Sequence, residues 1–190
     1  MAQEFPPWLV PPPRLRLRPD EVHVWRVFLD DHVPDLDRLQ QTLAKDERAR
    51  ADRFRFPKHR NRFVVRRGAL RSALANYLMI QPGQLSFSYG PHGKPALAER
   101  HGAAQLKFNL SDSKGLALLA VTRSRELGID VEHIHRGPVN EKLARRFFAA
   151  GEAENLSAVP KLRRREAFFN CWTRKEAYLK ARGEGLSAPL

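Results

Sequence analysis

Two carboxylates at the end of an apolar run are the first candidates for chemistry in this sequence. Asp130 and Glu132 follow the run that begins at Leu127, and they lie two residues apart. Because side chains alternate faces along a strand, both carboxylates point to the same side. Such a pair either meets arginine partners at the surface or holds a hard divalent cation such as Mg²⁺, which prefers oxygen ligands. The pair alone leaves both interpretations open.

A third carboxylate, Glu176, lies in a segment with helical periodicity. Trp172, Glu176 and Lys180 recur at intervals of four residues, so they share one face of the predicted helix. A glutamate four residues before a lysine commonly does no more than stabilise its own helix. Taken alone, this helix-stabilising interpretation is favoured over a chemical one.

The charge balance favours an anionic partner. The 190 residues include 34 Lys and Arg against 21 Asp and Glu, which gives a formal net charge of +13. Such a surface suits nucleic acid, phosphate groups, an acidic lipid surface or an acidic protein. Ten cations fall within one window, and we expect many of them to be solvated and a subset to bind phosphate: Arg48, Arg50, Arg53, Arg55, Lys58, Arg60, Arg62, Arg66, Arg67 and Arg71.

The composition excludes several classes of protein. No run approaches the roughly 20 apolar residues that a membrane-spanning helix needs, which excludes a membrane protein. The single cysteine, Cys171, excludes an internal disulfide framework, and the histidines show no spacing with acids that suggests a catalytic triad. The N-terminus lacks the apolar core of a secretion signal, so we expect a cytoplasmic protein.

The order of the predicted elements indicates an α+β fold rather than alternating βα units. Apolar alternation predicts strands at residues 22–29, 85–89, 106–111, 116–122 and 127–132. Apolar residues at helical spacing predict helices at residues 36–53, 61–78, 140–148 and 163–180. We expect a Pro-rich tail over residues 1–20, with Trp8 and Leu9 packed onto the body, followed by two similar halves, 21–105 and 106–190.

Seven short motifs follow one another in a fixed order from about Leu43 to Leu190. They are Arg53–Lys58, Arg67–Arg71, Tyr89–Pro95, Phe108–Ser113, Gly128–Glu132, Arg146–Phe148 with Glu152, and Trp172–Lys180. The ordered set resembles the 4′-phosphopantetheinyl transferases of the Sfp type, which modify carrier proteins of peptide, polyketide and fatty-acid synthesis. The residues from Phe168 to Leu186 are most similar to the bacterial and cyanobacterial branch of that family.

The resemblance implies a pseudo-dimer of two α+β halves with coenzyme A in the cleft between them, the C-terminal half being shortened here. It implies Mg²⁺-dependent transfer of 4′-phosphopantetheine from coenzyme A to a serine of acidic acyl or peptidyl carrier proteins, with release of 3′,5′-adenosine bisphosphate; Mn²⁺ is an alternative metal. Phosphoryl transfer needs positioning and charge neutralisation and no activated protein nucleophile. A pseudo-dimer already satisfies the interface of a homodimer, so we expect a monomer.

The resemblance also assigns roles to individual residues. Asp130, Glu132 and Glu176 correspond to the metal ligands. Lys180 contacts the phosphates or protonates the leaving group, and Glu152 or Glu132 helps to deprotonate the carrier serine. The other residues expected to face coenzyme A are Arg50, Lys58, His92, Gly93, Lys94, Ser111 and Asp112.

Asp112 stands where the family carries a phosphate-contacting histidine, and an acid repels a phosphate instead of donating to it. Either Asp112 faces the phosphates and weakens coenzyme A binding, with His92 as a replacement donor, or it caps a turn or pairs with Lys114. Two other functions stay open at this point. One is a coenzyme A-binding protein without transferase activity, and the other is a basic nucleic-acid-binding protein, which the charge alone would explain.

Overall fold

The computed structural model describes residues 7–12, 14–31, 35–101, 105–135 and 141–184. Its strands are β1 (Val22–Phe28), β2 (Phe87–Tyr89), β3 (Pro95–Leu97), β4 (Leu106–Ser113) and β5 (Leu116–Arg123). Its helices are α1 (Leu36–Gln41), α2 (Lys45–Asp52), α3 (Pro57–Leu78), α4 (Glu141–Phe147), α5 (Ala150–Ala158) and α6 (Lys161–Arg182). The predicted α+β class is confirmed. Among the helices in these ranges, none is both long and apolar enough to cross a membrane.

Two antiparallel sheets form the β-structure of the described residues. The larger sheet has the order β1-β5-β4, and β2 pairs with β3 in the smaller one. A two-residue turn with positive φ, Lys114 and Gly115, joins β4 to β5. The larger sheet therefore joins a strand of the predicted first half with two strands of the predicted second half, and the boundary near residue 105 stays a prediction.

One face of the larger sheet packs against α3. Trp25, Phe108 and Leu119 from the three strands meet Leu70 and Leu74 of α3 in one apolar cluster. This alternation leaves the other side of β4 lined with polar side chains at every second residue. A separate apolar cluster holds α4, α5 and α6 together through Ala144, Leu156 and Phe168.

Sequence periodicity predicted one continuous helix over residues 36–53, and this is wrong because local hydrogen bonds interrupt it. The hydroxyl of Thr42 donates to the carbonyl of Leu39 at 2.6 Å, which closes the end of α1. The amide of Ala44 donates to the carboxylate of Glu47 at 2.9 Å, which caps the start of α2.

Two further predictions are wrong. Residues 127–132 do not join the described sheets as a strand; they run extended beside β4 and are held by its side chains. Leu9 does not pack onto the body, since it is 83% exposed, whereas Leu17 is buried in the main core. Trp8 has the guanidinium of Arg26 4.6 Å from its ring centre. Helix α5 had not been predicted.

A buried ion network joins α2, α3 and the turn before β2. Glu47, only 4% exposed, accepts hydrogen bonds from Arg67 and, at 2.6 Å, from Arg71. Arg71, 1% exposed, also donates to the carbonyls of Pro82 and Leu85 at 2.9 and 3.1 Å. Although burial disfavours its charged form, these guanidinium groups hold the pKa of Glu47 below its ordinary value. Two of the ten cations in the basic window are therefore part of the core.

Replacing Arg71 by methionine tests this network. The substitution removes one of the two guanidinium partners of a buried carboxylate and the donor to the carbonyls of Pro82 and Leu85, so we expect the free energy of unfolding to fall by about 3–5 kcal/mol. Urea denaturation measures the change. Arg48→Met, at an exposed arginine of the same window, should change it by less than about 0.5 kcal/mol. Equal losses in the two variants would contradict a structural role for Arg71.

Candidate functional site

The segment at residues 128–132 lies directly against the backbone of α6. A Cβ added at Gly128 would meet the carbonyl oxygen of Ala177 at 1.9 Å and the amide nitrogen of Ala181 at 2.5 Å. No side chain fits into that space, so the contact requires glycine. The contact fixes the residues that follow Gly128 beside the last two turns of α6.

Asp130, Ser111 and Lys180 form a hydrogen-bonded group beside this contact, here called the Asp130 group. The side chain of Asp130 is 4% exposed, and its Oδ1 accepts bonds from Ser111 Oγ at 2.8 Å and from Lys180 Nζ. Lys180 Nζ also donates to Ser111 Oγ at 2.9 Å. Strand β4, the 128–132 segment and α6 each supply one member, so the group exists only when the three elements are docked.

Two buried carboxylate oxygens at this place have no hydrogen-bond partner among the described residues. They are Oδ2 of Asp130 and Oε1 of Glu176. Burial and the nearby carboxylate of Asp130 raise the pKa of Glu176, against the opposing effect of Lys180, and Glu132 raises it further. A buried oxygen without a partner is costly, and a hard cation satisfies such oxygens. The chemistry of these donors therefore suits Mg²⁺ or Mn²⁺.

Glu132, the remaining predicted metal ligand, is bound differently. Its Oε2 accepts a hydrogen bond from Ser113 Oγ at 2.9 Å at the exposed end of β4. In the part of the chain that the structure describes, no three acidic, histidine or cysteine side chains are grouped as a metal site. Two of the three predicted ligands thus present bare buried oxygens, and the third is held by a serine.

Asp112 lies on the opposite face of β4 from Ser111 and Ser113, because side chains alternate along a strand. Its carboxylate accepts a hydrogen bond from the guanidinium of Arg66 on α3. Of the expected alternatives, pairing with a cation is therefore observed, but the partner is Arg66 instead of Lys114.

A basic face on α3 borders this pair and is formed by residues at four-residue intervals: Lys58, Arg62 and Arg66. Arg62 donates two hydrogen bonds to Asp30, at 2.7 and 2.6 Å. Arg50 and Arg66 lie near the same ring, with their guanidinium carbons 5.4 and 5.7 Å from the centre of Phe63. Arg50 of α2 and Lys58 are both exposed, so the structure offers these two predicted phosphate ligands to solvent.

Lys94, predicted to hold a phosphate, is engaged by the protein. Its Nζ donates to the carboxylate of Glu126 at 2.9 Å, to Leu127 O at 3.4 Å and to Ala181 O at 2.9 Å. These bonds use all three N–H groups of the ammonium. Lys94 thereby fastens the β2–β3 turn to the segment before Gly128 and to the end of α6. The other two residues predicted in this turn are exposed: His92 and Gly93.

Glu152 lies in a separate groove of about 740 Å³ between α5 and α6. Its carboxylate accepts a hydrogen bond from Lys175 Nζ at 2.7 Å and another from the amide of Ala149 at 2.8 Å. These bonds, that of Lys175 above all, lower the pKa of Glu152. Lys175 and Glu176 are consecutive on α6, so their side chains diverge by about 100° around the helix axis. Glu152 is therefore not part of the Asp130 group.

Sequence reasoning missed three residues that shape the site. Asn109 accepts a hydrogen bond from the amide of Ile129 at 2.9 Å, Ser113 binds Glu132, and Gly128 permits the approach to α6. A signal for the first two was present in Phe-Asn-Leu-Ser-Asp-Ser, residues 108–113, where every second residue is polar and so lies on one face of a strand.

Comparisons with known proteins point to one family. Residues 31–124 match the family described as 4′-phosphopantetheinyl transferase, N-terminal, and residues 126–190 match the 4′-phosphopantetheinyl transferase superfamily. The 4′-phosphopantetheinyl transferase HetI of Nostoc sp. is 49% identical over 95% of this chain and 76% of its own length. A putative 4′-phosphopantetheinyl transferase of Synechocystis sp. is 38% identical over 83% of this chain, and this chain spans less than two thirds of it, 63%. The 4′-phosphopantetheinyl transferase Sfp of Bacillus subtilis is 28% identical over 88% of this chain and 73% of its own length.

The close contact at Gly128 predicts that adding one methyl group at this position destabilises the protein. Gly128→Ala should lower the free energy of unfolding by about 1–3 kcal/mol, because overpacking forces the segment away from α6. Thermal or urea denaturation gives the change. Gly151→Ala is the matched control, since a Cβ there meets nothing within 4 Å and a helical alanine is favoured by about 0.5–1 kcal/mol. A Gly128→Ala protein as stable as the parent would show that the close approach is not needed.

Proposed function

The chain belongs to the 4′-phosphopantetheinyl transferase superfamily, and from that premise we propose that it transfers 4′-phosphopantetheine from coenzyme A to a serine of acyl or peptidyl carrier proteins. Transferase activity of this class is what its relatives at up to 49% identity share by name. The observation that supports the finer proposal is the Asp130 group with Glu176 beside it, because each of the two acids has one buried oxygen without a partner and Lys180 supplies an ammonium. Phosphoryl transfer needs groups that bind a divalent cation and a positive charge near the phosphates, and these residues can supply both.

In the proposed reaction the carrier serine oxygen attacks the β-phosphorus of coenzyme A. A new oxygen–phosphorus bond forms, and the bond between the β-phosphorus and the oxygen bridging to the α-phosphorus breaks. The leaving group is 3′,5′-adenosine bisphosphate, and the proton of the serine passes to a base. The carrier becomes heavier by one phosphopantetheine group.

We propose that Asp130 and Glu176 hold a Mg²⁺ or Mn²⁺ ion through their unpartnered oxygens, with Glu132 as the third ligand through Oε1, the oxygen that Ser113 does not hold. A bound divalent ion supplies positive charge that neutralises the pyrophosphate during transfer. The residues fit such an ion because two acids whose oxygens are buried and bare gain a partner for them.

Lys180 is the residue proposed to act on the leaving group. Its ammonium donates to Ser111 and Asp130, which holds it at the carboxylates and leaves one N–H for a phosphate oxygen. A charge fixed in this way stabilises the developing charge on the departing phosphate without having to reorganise.

Of the two candidates for the base, Glu132 is the better placed. The bond from Lys175 lowers the pKa of Glu152 and engages it in the groove between α5 and α6. That groove is separate from the Asp130 group, so Glu152 is not beside the pyrophosphate that we propose to bind there. Glu132 lies two residues from Asp130 and is exposed to an incoming hydroxyl.

The phosphates and the nucleotide of coenzyme A are proposed to lie along the basic face of α3. Arg50 of α2 and Lys58 are exposed there, whereas Ser111 belongs to the Asp130 group on the opposite face of β4 and is proposed to face the pyrophosphate. Lys94 acts mainly through the turn that it fastens, which presents His92 and the backbone of Gly93 to solvent. The carrier partner is proposed to be acidic, because the chain has a net charge of +13, and the active form is proposed to be a monomer.

Incubation with apo carrier proteins, coenzyme A and Mg²⁺, followed by mass measurement of the carrier, tests the function. We expect modification by the parent chain and a loss of turnover of about a hundred-fold or more in Asp130→Asn and Glu176→Gln, the scale for a preorganised electrostatic group. Glu154→Gln, an exposed acid of α5, is the matched control and should keep full activity.

The outcomes separate the candidate functions. Modified carrier with the parent and none with the two acid variants supports the transferase. Bound coenzyme A without any modified carrier would support the coenzyme A-binding protein without activity. Salt-sensitive binding of nucleic acid without coenzyme A binding would support the nucleic-acid-binding protein.

Carrier recognition should depend on salt. Raising the ionic strength from low to above physiological should increase the Michaelis constant for the carrier, because screening slows the encounter of opposite charges. Steady-state kinetics at several salt concentrations measure it, with the Michaelis constant for coenzyme A recorded in parallel. A carrier constant that does not change with salt would show that the net charge has another use.

A further inference from the structure

We propose that Asn109, Ser111 and Ser113 of β4 form a side-chain ladder that holds residues 128–133, the segment with Asp130 and Glu132, as a neighbouring strand would, and that Asn109 and Ser113 are positioning residues of the site. The three side chains accept hydrogen bonds from the backbone amides of alternate residues. Ile129 donates to Asn109 at 2.9 Å, Val131 to Ser111 at 3.4 Å, and His133 to Ser113 at 3.1 Å. This inference rests on the proposed function for its effect on turnover.

The ladder explains how an unpaired segment stays extended. Amides of alternate residues face the same edge of an extended chain, where a paired strand would meet them with carbonyl groups. Here the spacing of side chains on one face of β4 matches that repeat, with 109, 111 and 113 opposite 129, 131 and 133. The segment is thus clamped from two sides, by β4 and by the contact of Gly128 with α6.

The ladder also fixes the direction of each serine hydroxyl. An amide N–H can only donate, so Ser113 Oγ accepts from His133 and must give its own hydrogen to Glu132, at 2.9 Å. Ser111 is constrained in the same way at Asp130, since Lys180 also donates to it. Each carboxylate therefore has one oxygen held by a serine.

The consequence is a pair of oriented acids. Asp130 is held through Oδ1, and its Oδ2 is the buried oxygen that has no partner among the described residues. Glu132 is held through Oε2 by the next serine along the strand. Asn109, itself 4% exposed, fixes the segment one residue before Asp130. Residues that orient metal ligands in this way commonly change metal affinity by 10–100-fold.

The first arm of the test needs neither metal nor coenzyme A. Amide hydrogen exchange of Ile129 is measured by NMR in the parent, in Asn109→Leu, which removes the acceptor, and in Asn109→Asp, which keeps an oxygen at the same position. We expect exchange about tenfold faster in Asn109→Leu and close to the parent in Asn109→Asp. Equal rates in the parent and Asn109→Leu would overturn the ladder.

The second arm measures the site. Mn²⁺ is titrated by electron paramagnetic resonance into the parent, Ser113→Ala and Ser113→Thr, with Ser88→Ala, an exposed serine of β2, as control. Ser113→Ala should bind Mn²⁺ about tenfold more weakly, while Ser113→Thr, which keeps the hydroxyl, and Ser88→Ala should bind as the parent does. The Mg²⁺ concentration for half-maximal turnover should rise by the same factor, with kcat at saturating Mg²⁺ and the melting temperature unchanged.

The two arms distinguish this inference from the proposed function. Unchanged Mn²⁺ affinity in Ser113→Ala, with carriers modified by the parent, would overturn the positioning role and leave the transferase intact. Weaker Mn²⁺ binding in Ser113→Ala, with no carrier modified by the parent, would support the ladder and overturn the transferase. A loss of activity that excess Mg²⁺ does not restore, with a lower melting temperature, would mark Ser113 as merely structural and overturn its positioning role.

Discussion

The site depends on one steric constraint, the approach of Gly128 to the backbone of α6. A Cβ at this position would lie 1.9 Å from a carbonyl oxygen of the helix, so the distance between segment and helix can be kept only without a side chain. That distance brings Asp130 to Lys180, and the same segment is bound on its other side by β4. Asp130 and Glu176, which are far apart in the sequence, therefore lie close together because the segment and α6 are in direct backbone contact.

Positive charge in this protein has two different uses. Arg67 and Arg71 are buried around Glu47 and hold α2 and α3 together. Their charges are therefore paired inside the fold and do not face a ligand. Arg50 and Lys58 lie at the surface of the same helices and stay available to an anion. In the sequence, the buried and the exposed cations form one arginine-rich window. Only the tertiary packing decides which of them are buried and which partners they bind.

The α+β class, the long helices and the family were predictable because they depend on local periodicity and ordered motifs. Asp130, Glu176 and Lys180 were predicted as site residues from the sequence; the structure places them near one another, and their roles stay a proposal. The break between α1 and α2 could not be predicted, because it depends on local hydrogen bonds that compete with regular structure. The polar face of β4 was visible in the sequence, but the segment that it binds, residues 128–133, is decided only by the tertiary fold. The assignment of Lys94 to a phosphate ignored Glu126 and Ala181, which reach it only in the folded chain.

The register of the larger sheet has a consequence for how the chain reaches this structure. Val22 pairs with Thr122, so β1 meets its partner 100 residues later in the sequence. Long-range pairing of this kind must close a large loop before any contact compensates for the lost entropy, and it slows folding. During synthesis the edge of β1 stays unpaired until β5 has emerged, so the nascent chain exposes a strand with three valines while roughly 95 further residues are added.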